Sequence, residues 1–296
     1  MRWLQAARPL AHVNIAVPLL FGEMLAYHAT GRLDVAMLVA AHLFGVLDQL
    51  YIVFANDVAD EAGDRANETH NAFSGGSRVL PEGKITRRAL ATAAVVAALS
   101  MVALSIGLAT FAARPAMLGG CALALLLLWA YSYAPLRLSY RGHGELTQGI
   151  GVGIVLPLVG WYLQVGAVDY LPWRALLPGA LLAFASNIST ALPDFPSDEA
   201  VGKRTWPVRF GQSRARKHSM QFIALAVLLT PLVLPGLEHA QLLAIEIGPA
   251  LALLVNLRGL PNSDAADHKR CARFVFLNGL AINLALLGWI AALATL

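Results

Sequence analysis

The chain has 296 residues, of which 57% are apolar and only 14% charged. Soluble domains carry roughly 25% charged residues, so this composition, with a mean hydropathy of +0.61, excludes an ordinary soluble globule. The net charge of +4 comes without aromatic residues interleaved among the basic ones, which excludes a nucleic-acid footprint.

Uncharged runs at 89–113, 115–136, 146–168, 219–237 and 274–296 are each about long enough to cross a ~30 Å hydrocarbon core as helix. Four more spans are expected at about 10–29, 35–55, 175–193 and 239–257, and these hold the few intramembrane polar residues. The expectation is an all-α membrane protein with nine transmembrane helices. Of the 22 Lys and Arg residues, only Arg32, Arg114 and Arg174 then fall in outside loops. That asymmetry puts the N-terminus and the basic loops in the cytoplasm. Cys121 falls in a span and Cys271 in a cytoplasmic segment, so no disulfide framework is implied.

Span one follows Arg2 and Arg8 and carries Asn14 and Glu23, which a cleaved signal peptide would avoid. Polar groups at membrane depth are costly, about 2.5–3.5 kcal/mol for a central carboxylate, and face the bundle interior. Asn14 is either a substrate contact or an interhelical hydrogen-bonding group; Glu23 reads as the latter.

Span two carries His42 and Asp48 and runs into Asn56-Asp-Val-Ala-Asp60-Glu-Ala-Gly-Asp64. On a helix Asp57 and Asp64 lie roughly 20° apart, with Asp60 about 60° to one side, forming one acidic stripe. Three carboxylates on one face repel unless a cation sits among them, and oxygen-only ligands select a hard ion such as Mg²⁺. A solvated helix end is the competing reading. Asp48 lies deeper on roughly the same side, either lining a cavity or neutral and hydrogen-bonded.

The next loop contains Phe73-Ser-Gly-Gly-Ser-Arg78 and Lys84. Adjacent glycines let backbone N–H groups approach a ligand, and the two cations suit an anion with several oxygens. An ordinary turn is the alternative. Span four ends in Tyr131-Ser-Tyr133. A short loop follows with Arg137, Tyr140, Arg141, Gly142, Gly144 and Glu145; tyrosines at such a boundary also act as interfacial anchors. Span five has Gly151, Gly153 and Gly160 for close packing, and a kink at Pro157.

Span six passes Asn187 and ends in Pro193-Asp194-Phe-Pro196-Ser-Asp198-Glu199, followed by Gly202-Lys203-Arg204-Thr205. Asp-Glu-Ala occurs at 60–62 and 198–200. This weak internal repeat divides one transmembrane domain into halves of about 1–145 and 146–296. If the halves pack face to face, both acidic clusters point into one cavity, where two Mg²⁺ ions with Lys203 and Arg204 would hold a diphosphate. Spans seven to nine add little chemistry. Glu246 lies inside span eight, and the 258–273 loop with Asp264 and Asp267 reads as solvated surface.

These motifs resemble those of the UbiA superfamily of intramembrane prenyltransferases, with N-D-x-x-D-x-x-x-D after the second helix and D-x-x-x-D after the sixth. Here they are Asn56, Asp57, Asp60 and Asp64, then Asp194 and Asp198, with Gly202, Lys203 and Thr205 completing G-K-x-T. The resemblance covers the whole chain. The 74–76 loop, Tyr140-Arg141-Gly142 with Gly144-Glu145, and the run from Asp198 to Thr205 look most like the branch that prenylates 1,4-dihydroxy-2-naphthoate. One departure is that Pro193 and Pro196 flank Asp194, which argues against a continuous helix there.

The resemblance implies a UbiA-type bundle around a central cavity. It implies Mg²⁺ held by Asn56, Asp57, Asp60, Asp64, Asp194 and Asp198. A prenyl diphosphate would meet Arg65, Arg78, Lys84, Arg141, Lys203 and Arg204, and an aromatic acceptor would lie near Asn14 and Asn187. Tyr133 or Tyr140 would stabilise the allylic cation, and Asp194 would take the phenolic proton. The implied setting is the inner cell membrane, with active-site loops in the cytoplasm and no nucleic-acid partner. A terpene cyclase would use the same diphosphate site without an acceptor. An ion-coupled transporter would account for Glu23, Asp48 and Glu246 in the bilayer. A CDP-alcohol phosphotransferase is disfavoured, because its D-x-x-D-G pattern needs glycine where Glu61 stands.

Overall fold

The computed structural model describes residues 1–68, 75–260 and 263–295, and among them every regular element is helical. In chain order the α-helices are α1 (Arg2–Ala7), α2 (Val13–Thr30), α3 (Val35–Ala59), α4 (Glu61–Ala66), α5 (Arg87–Phe111), α6 (Met117–Ser132), α7 (Gly144–Ile150) and α8 (Leu156–Val165). They continue with α9 (Trp173–Ala191), α10 (Phe195–Ala200), α11 (Trp206–Phe210), α12 (Gln212–Leu228), α13 (Thr230–Val233), α14 (His239–Gly259) and α15 (His268–Thr295). A π-helical turn, Gly151–Val155, separates α7 from α8 just before Pro157, a usual place for the helical ladder to slip. The chain forms two compact units.

The first unit comprises Met1–Arg65, Gly76–Arg137 and Val155–Leu171. Its α3 starts where the Asp34 carboxylate accepts from the N–H groups of Ala36 (2.8 Å) and Met37 (3.1 Å), a side-chain N-cap. Val35, Val39, Leu43 and Val46 stand exposed on successive turns of α3, and Val95, Leu99 and Ile106 stand exposed along α5. Such outward apolar stripes suit hydrocarbon rather than water. The inner faces bury Val53, Phe54, Val58, Leu90 and Ala94 in one core. α2 crosses α8 through two glycines. A Cβ on Gly22 would lie 1.9 Å from the Pro157 carbonyl oxygen, and one on Gly160 would lie 2.3 Å from that of Leu19. Only small residues permit so close an approach. Glu23 is fully buried and meets His42 of α3 at 3.2 Å, the interhelical bond expected for it.

The second unit comprises Ala66–Gly75, Leu138–Ile154 and Pro172–Leu296. In it α9 packs on α7 and α12, and α14 packs on α15. Buried Asn278 of α15 donates to Ser189 Oγ of α9 (2.8 Å) and Ser219 Oγ of α12 (3.0 Å). Its Oδ1 accepts from Asn256 of α14 at 2.8 Å. Breaking one of these bonds would leave a polar group unpaired in an apolar interior, so the network fixes the register of four helices.

Among the described residues, six segments are long and apolar enough to cross a membrane: Arg2–Thr30, Val35–Ala59, Arg87–Phe111, Gly144–Val165, His239–Gly259 and His268–Thr295. The expected nine are not reached on length and composition. α6 has only 16 residues. α9 closes on Ser186, Asn187, Ser189 and Thr190. α12 opens on Arg214, Arg216 and Lys217 and stops ahead of Pro231.

Candidate active site

In the first unit, Asn56 and Asp57 lie in the last turn of α3, Asp60 follows its end, and Asp64 lies in α4. The helical ladder carries across the change of helix. Asp60 N–H donates to the Asn56 carbonyl at 2.8 Å, and Asp64 N–H to the Asp60 carbonyl at 2.9 Å. The acidic residues therefore keep helical spacing. Asp57 and Asp60 are buried and Asp64 half-buried. Asn56 donates to Asp60 Oδ2 at 3.2 Å and accepts from Ser132 Oγ at 3.3 Å.

The glycine-containing loop closes on these acids. Ser77 donates to Asp57 from its N–H (3.3 Å) and its Oγ. Arg8 pairs with Asp57, and Arg78 donates to the Asp64 carbonyl. A Cβ on Gly76 would sit 2.1 Å from Asp64 Oδ2, and Gly76 has φ +69°. The positive φ favours glycine, and an added Cβ would have to push the Asp64 carboxylate aside. Phe73 and Ser74 lie outside the described residues.

The remaining first-unit candidates divide. Arg65 and Lys84 are exposed and pair with Glu61 (2.8 Å) and Glu82 (2.6 Å). Hydrogen bonds from Arg87 first, then Arg65, hold the Glu61 carboxyl below its ordinary pKa. Tyr133 donates its hydroxyl to the Ala55 carbonyl at 2.7 Å. Asn14 is exposed in the first turn of α2.

In the second unit, α9 stops at Ala191, and α10 begins after Asp194 with Pro196 in its first turn. The break expected around the two prolines is present, and Pro196 falls where a missing N–H is harmless. Asp194 and Asp198 still keep helical spacing, since Asp198 N–H donates to the Asp194 carbonyl at 2.8 Å. The Asp194 carboxylate accepts from Asn67 Nδ2 at 2.5 Å and Gly75 N–H at 3.4 Å. Buried Asp198 accepts from Thr205 Oγ1 at 3.1 Å, with Lys203 Nζ at 3.8 Å. The same ammonium lies 5.6 Å from the centre of the Tyr140 ring, within cation–π reach.

The loop before α7 braces this cluster. Tyr140 O accepts from Arg204 N–H (3.2 Å), Gly142 O from Arg209 Nη1 (2.8 Å), and the buried Glu145 carboxylate from Trp206 N–H (2.6 Å). Arg141 and Arg204 have exposed side chains. Asn187 is buried and donates to Gln148.

Arg8 and Asn67 contact the motif acids yet carry no pattern that marks them, whereas Ser77 belongs to the glycine-containing loop already singled out. The only signal near Arg8 is Arg-Pro at the head of span one, which predicts a helix start. Its left-handed backbone, φ 45°, joins α1 to the Pro9 turn.

Residues 15–292 match the model of the UbiA prenyltransferase family. One curated relative is the digeranylgeranylglyceryl phosphate synthase of Methanopyrus kandleri. It is 32% identical over 292 residues, covering 96% of this chain and 98% of the relative. Another is the 1,4-dihydroxy-2-naphthoate octaprenyltransferase of Mycobacterium tuberculosis, 26% identical over 255 residues, covering 84% of this chain and 85% of the relative. Among solved structures, a UbiA homolog from Archaeoglobus fulgidus bound to DMAPP and Mg²⁺ has a TM-score of 0.68 at 18% identity, with 100% of both chains covered. At that identity the likeness is one of fold. The family match over nearly the whole chain, joined to both acid motifs and the apolar helices, makes this protein a membrane prenyltransferase belonging to the UbiA prenyltransferase family.

Proposed function

We propose that the chain transfers a prenyl group from a prenyl diphosphate to an aromatic quinone precursor, with Mg²⁺, releasing diphosphate. The observation that carries this reading is the gathering of Gly76, Ser77, Arg78 and Arg8 around Asp57 and Asp64 at the end of an apolar helix. An aromatic acceptor is supported by the naphthoate-prenylating relative. A second reading, a glyceryl phosphate acceptor, is favoured by the Methanopyrus relative's 32% identity over nearly the whole chain.

The donor set fits Mg²⁺. Asp57, Asp60, Asp64, Asp194 and Asp198 offer only oxygen, which suits a hard cation. Among the described residues no three His, Cys, Asp or Glu side chains are placed to hold an ion unaided. Mg²⁺ usually keeps several waters and takes one or two carboxylates plus phosphate oxygens, so a full protein cage is not needed. When bound, Mg²⁺ would neutralise the charge growing on the departing diphosphate. In this reading Arg78 and Lys203, each beside a motif acid of its own unit, bind the phosphates. In this reading Tyr140 offers a π face to the allylic cation, and Asp194 receives the acceptor's phenolic proton. The exposed Arg65, Lys84, Arg141 and Arg204 serve the anion's approach. We read the fold as one nine-span transmembrane domain, with α6, α9 and α12–α13 completing the six longer segments. The reading places it in the inner membrane with cytoplasmic active-site loops.

The test offers purified protein geranyl to octaprenyl diphosphates with naphthoate, hydroxybenzoate and glyceryl phosphate acceptors, and reads products by mass. Prenylated naphthoate or hydroxybenzoate is expected. Product made without any acceptor would instead identify a cyclase. EDTA is expected to stop turnover and added Mg²⁺ to restore it; EDTA-resistant activity would remove the metal. Gly76→Ala is expected to displace the Asp64 carboxylate and lower kcat/KM by about 100-fold, with the far-ultraviolet circular dichroism unchanged.

A further inference from the structure

Arg216 of α12 is 3% exposed. Its Nε has no hydrogen-bond partner among the described residues. Its Nη1 lies 2.5 Å from Asp264 Oδ1, and the Asp264 side chain is itself 57% exposed. A guanidinium presents five N–H donors in a rigid fork, and one half-solvated carboxylate does not offset the desolvation of so buried a cation. The loop bearing Asp264 is solvated at Asp264 and Ala266, as its composition predicts, but two of its residues turn inward. Ser263 and Ala265 are buried, and Ala265 N–H donates to Gln212 Oε1 at 2.7 Å. Ser219, one turn after Arg216 on α12, is joined through the Asn278 amide to Ser189 of α9, five residues before Asp194.

A buried arginine with a donor to spare is suited to bidentate capture of a carboxylate or phosphate. Dihydroxynaphthoate carries a carboxylate and a glyceryl phosphate carries a phosphate. We infer that Arg216 binds the anionic group of the acceptor, displacing Asp264, which holds its place in the free protein. The inference rests on the transfer reading above and makes Arg216 a specificity-determining residue within it.

The test uses the full chain as wild type, Arg216→Gln, Arg216→Lys and Asp264→Asn. Each is offered dihydroxynaphthoate against dihydroxynaphthalene, and geranylgeranylglyceryl phosphate against geranylgeranylglycerol. In Arg216→Gln the KM for the anionic member of the productive pair is expected to rise about 10- to 100-fold. The KM for its neutral analogue and for the prenyl diphosphate should stay unchanged. Arg216→Lys, which keeps the charge but loses the fork, should fall between. Asp264→Asn should lower the KM for the anionic acceptor, because the competing anion is gone. The pair that responds separates carboxylate from phosphate recognition. Equal losses on anionic and neutral acceptors would reduce Arg216 to a structural role. A rise confined to the diphosphate KM would make it a donor contact, and either result overturns the inference. Equilibrium binding of the acceptors without diphosphate reads the same contrast in the absence of turnover. Anion binding through Arg216 without any product would sink the transfer reading and leave this one standing. If Arg216→Gln does not fold, the opposite sign expected of Asp264→Asn still decides.

Discussion

Asp57→Asn is expected to lower prenyl transfer by at least about 1000-fold while the protein still inserts and folds. The amide keeps an oxygen for Ser77, whose N–H now reaches Asp57 at 3.3 Å. What it loses is the negative charge that Arg8 pairs with and that a divalent ion would need. Asp198→Asn is the matching experiment in the second unit. It spares an acceptor for Thr205 Oγ1, 3.1 Å away, and removes the charge opposite Lys203. Both carboxylates are almost fully buried, so neither loss is made good by solvent. The measurement is kcat/KM with the prenyl diphosphate, beside a thermal unfolding curve in the same detergent. Wild-type-like turnover in either variant would remove that motif from the reaction. A drop in KM performance alone, with kcat preserved, would make it a binding group rather than one that acts in the transition state.

What could be read from the chain, and what could not, follows from the range of the interactions. Asp57, Asp60 and Asp64 share helical spacing because 3.6 residues per turn is a local property. The ladder through Asp60 preserves it although α3 ends there. The break before Asp194 is local too, since Pro193 and Pro196 act on their own neighbours. Arg8 against Asp57 and Asn67 against Asp194 join residues far apart in the chain. Nothing in the spacing of such pairs records the contact. Six rather than nine segments are long and apolar enough among the described residues for a further reason. Absence of charge marks an apolar run but not where its helix stops, and Pro231 divides α12 from α13 inside one such run. In the 263–267 loop Asp264 is exposed as its composition suggests, while the burial of Ser263 and Ala265 leaves no mark in the sequence.

Adding one methyl group to α2 is expected to do more damage to stability than any polar substitution in the first unit. A Cβ on Gly22 would lie 1.9 Å from the Pro157 carbonyl oxygen and 2.7 Å from its Cα. These are backbone atoms, so no rotamer change relieves the clash, and α2 and α8 must move apart. Overpacking a well-filled interior costs about 1–3 kcal/mol when side chains can adjust. With backbone on both sides Gly22→Ala is expected to reach at least the top of that range. Gly160→Ala, whose Cβ would meet the Leu19 carbonyl oxygen at 2.3 Å, should behave alike. The effect should also reach the site, because α2 follows directly on the turn that carries Arg8. Gly107→Ala in α5 is the control, with nothing within 4 Å of the added carbon. There alanine's better helix propensity should leave stability unchanged or raise it by about 0.5–1 kcal/mol. The two substitutions are chemically identical, so opposite shifts in unfolding temperature in one detergent isolate packing from propensity. Equal shifts would mean that α2 and α8 do not approach as closely as their glycines allow.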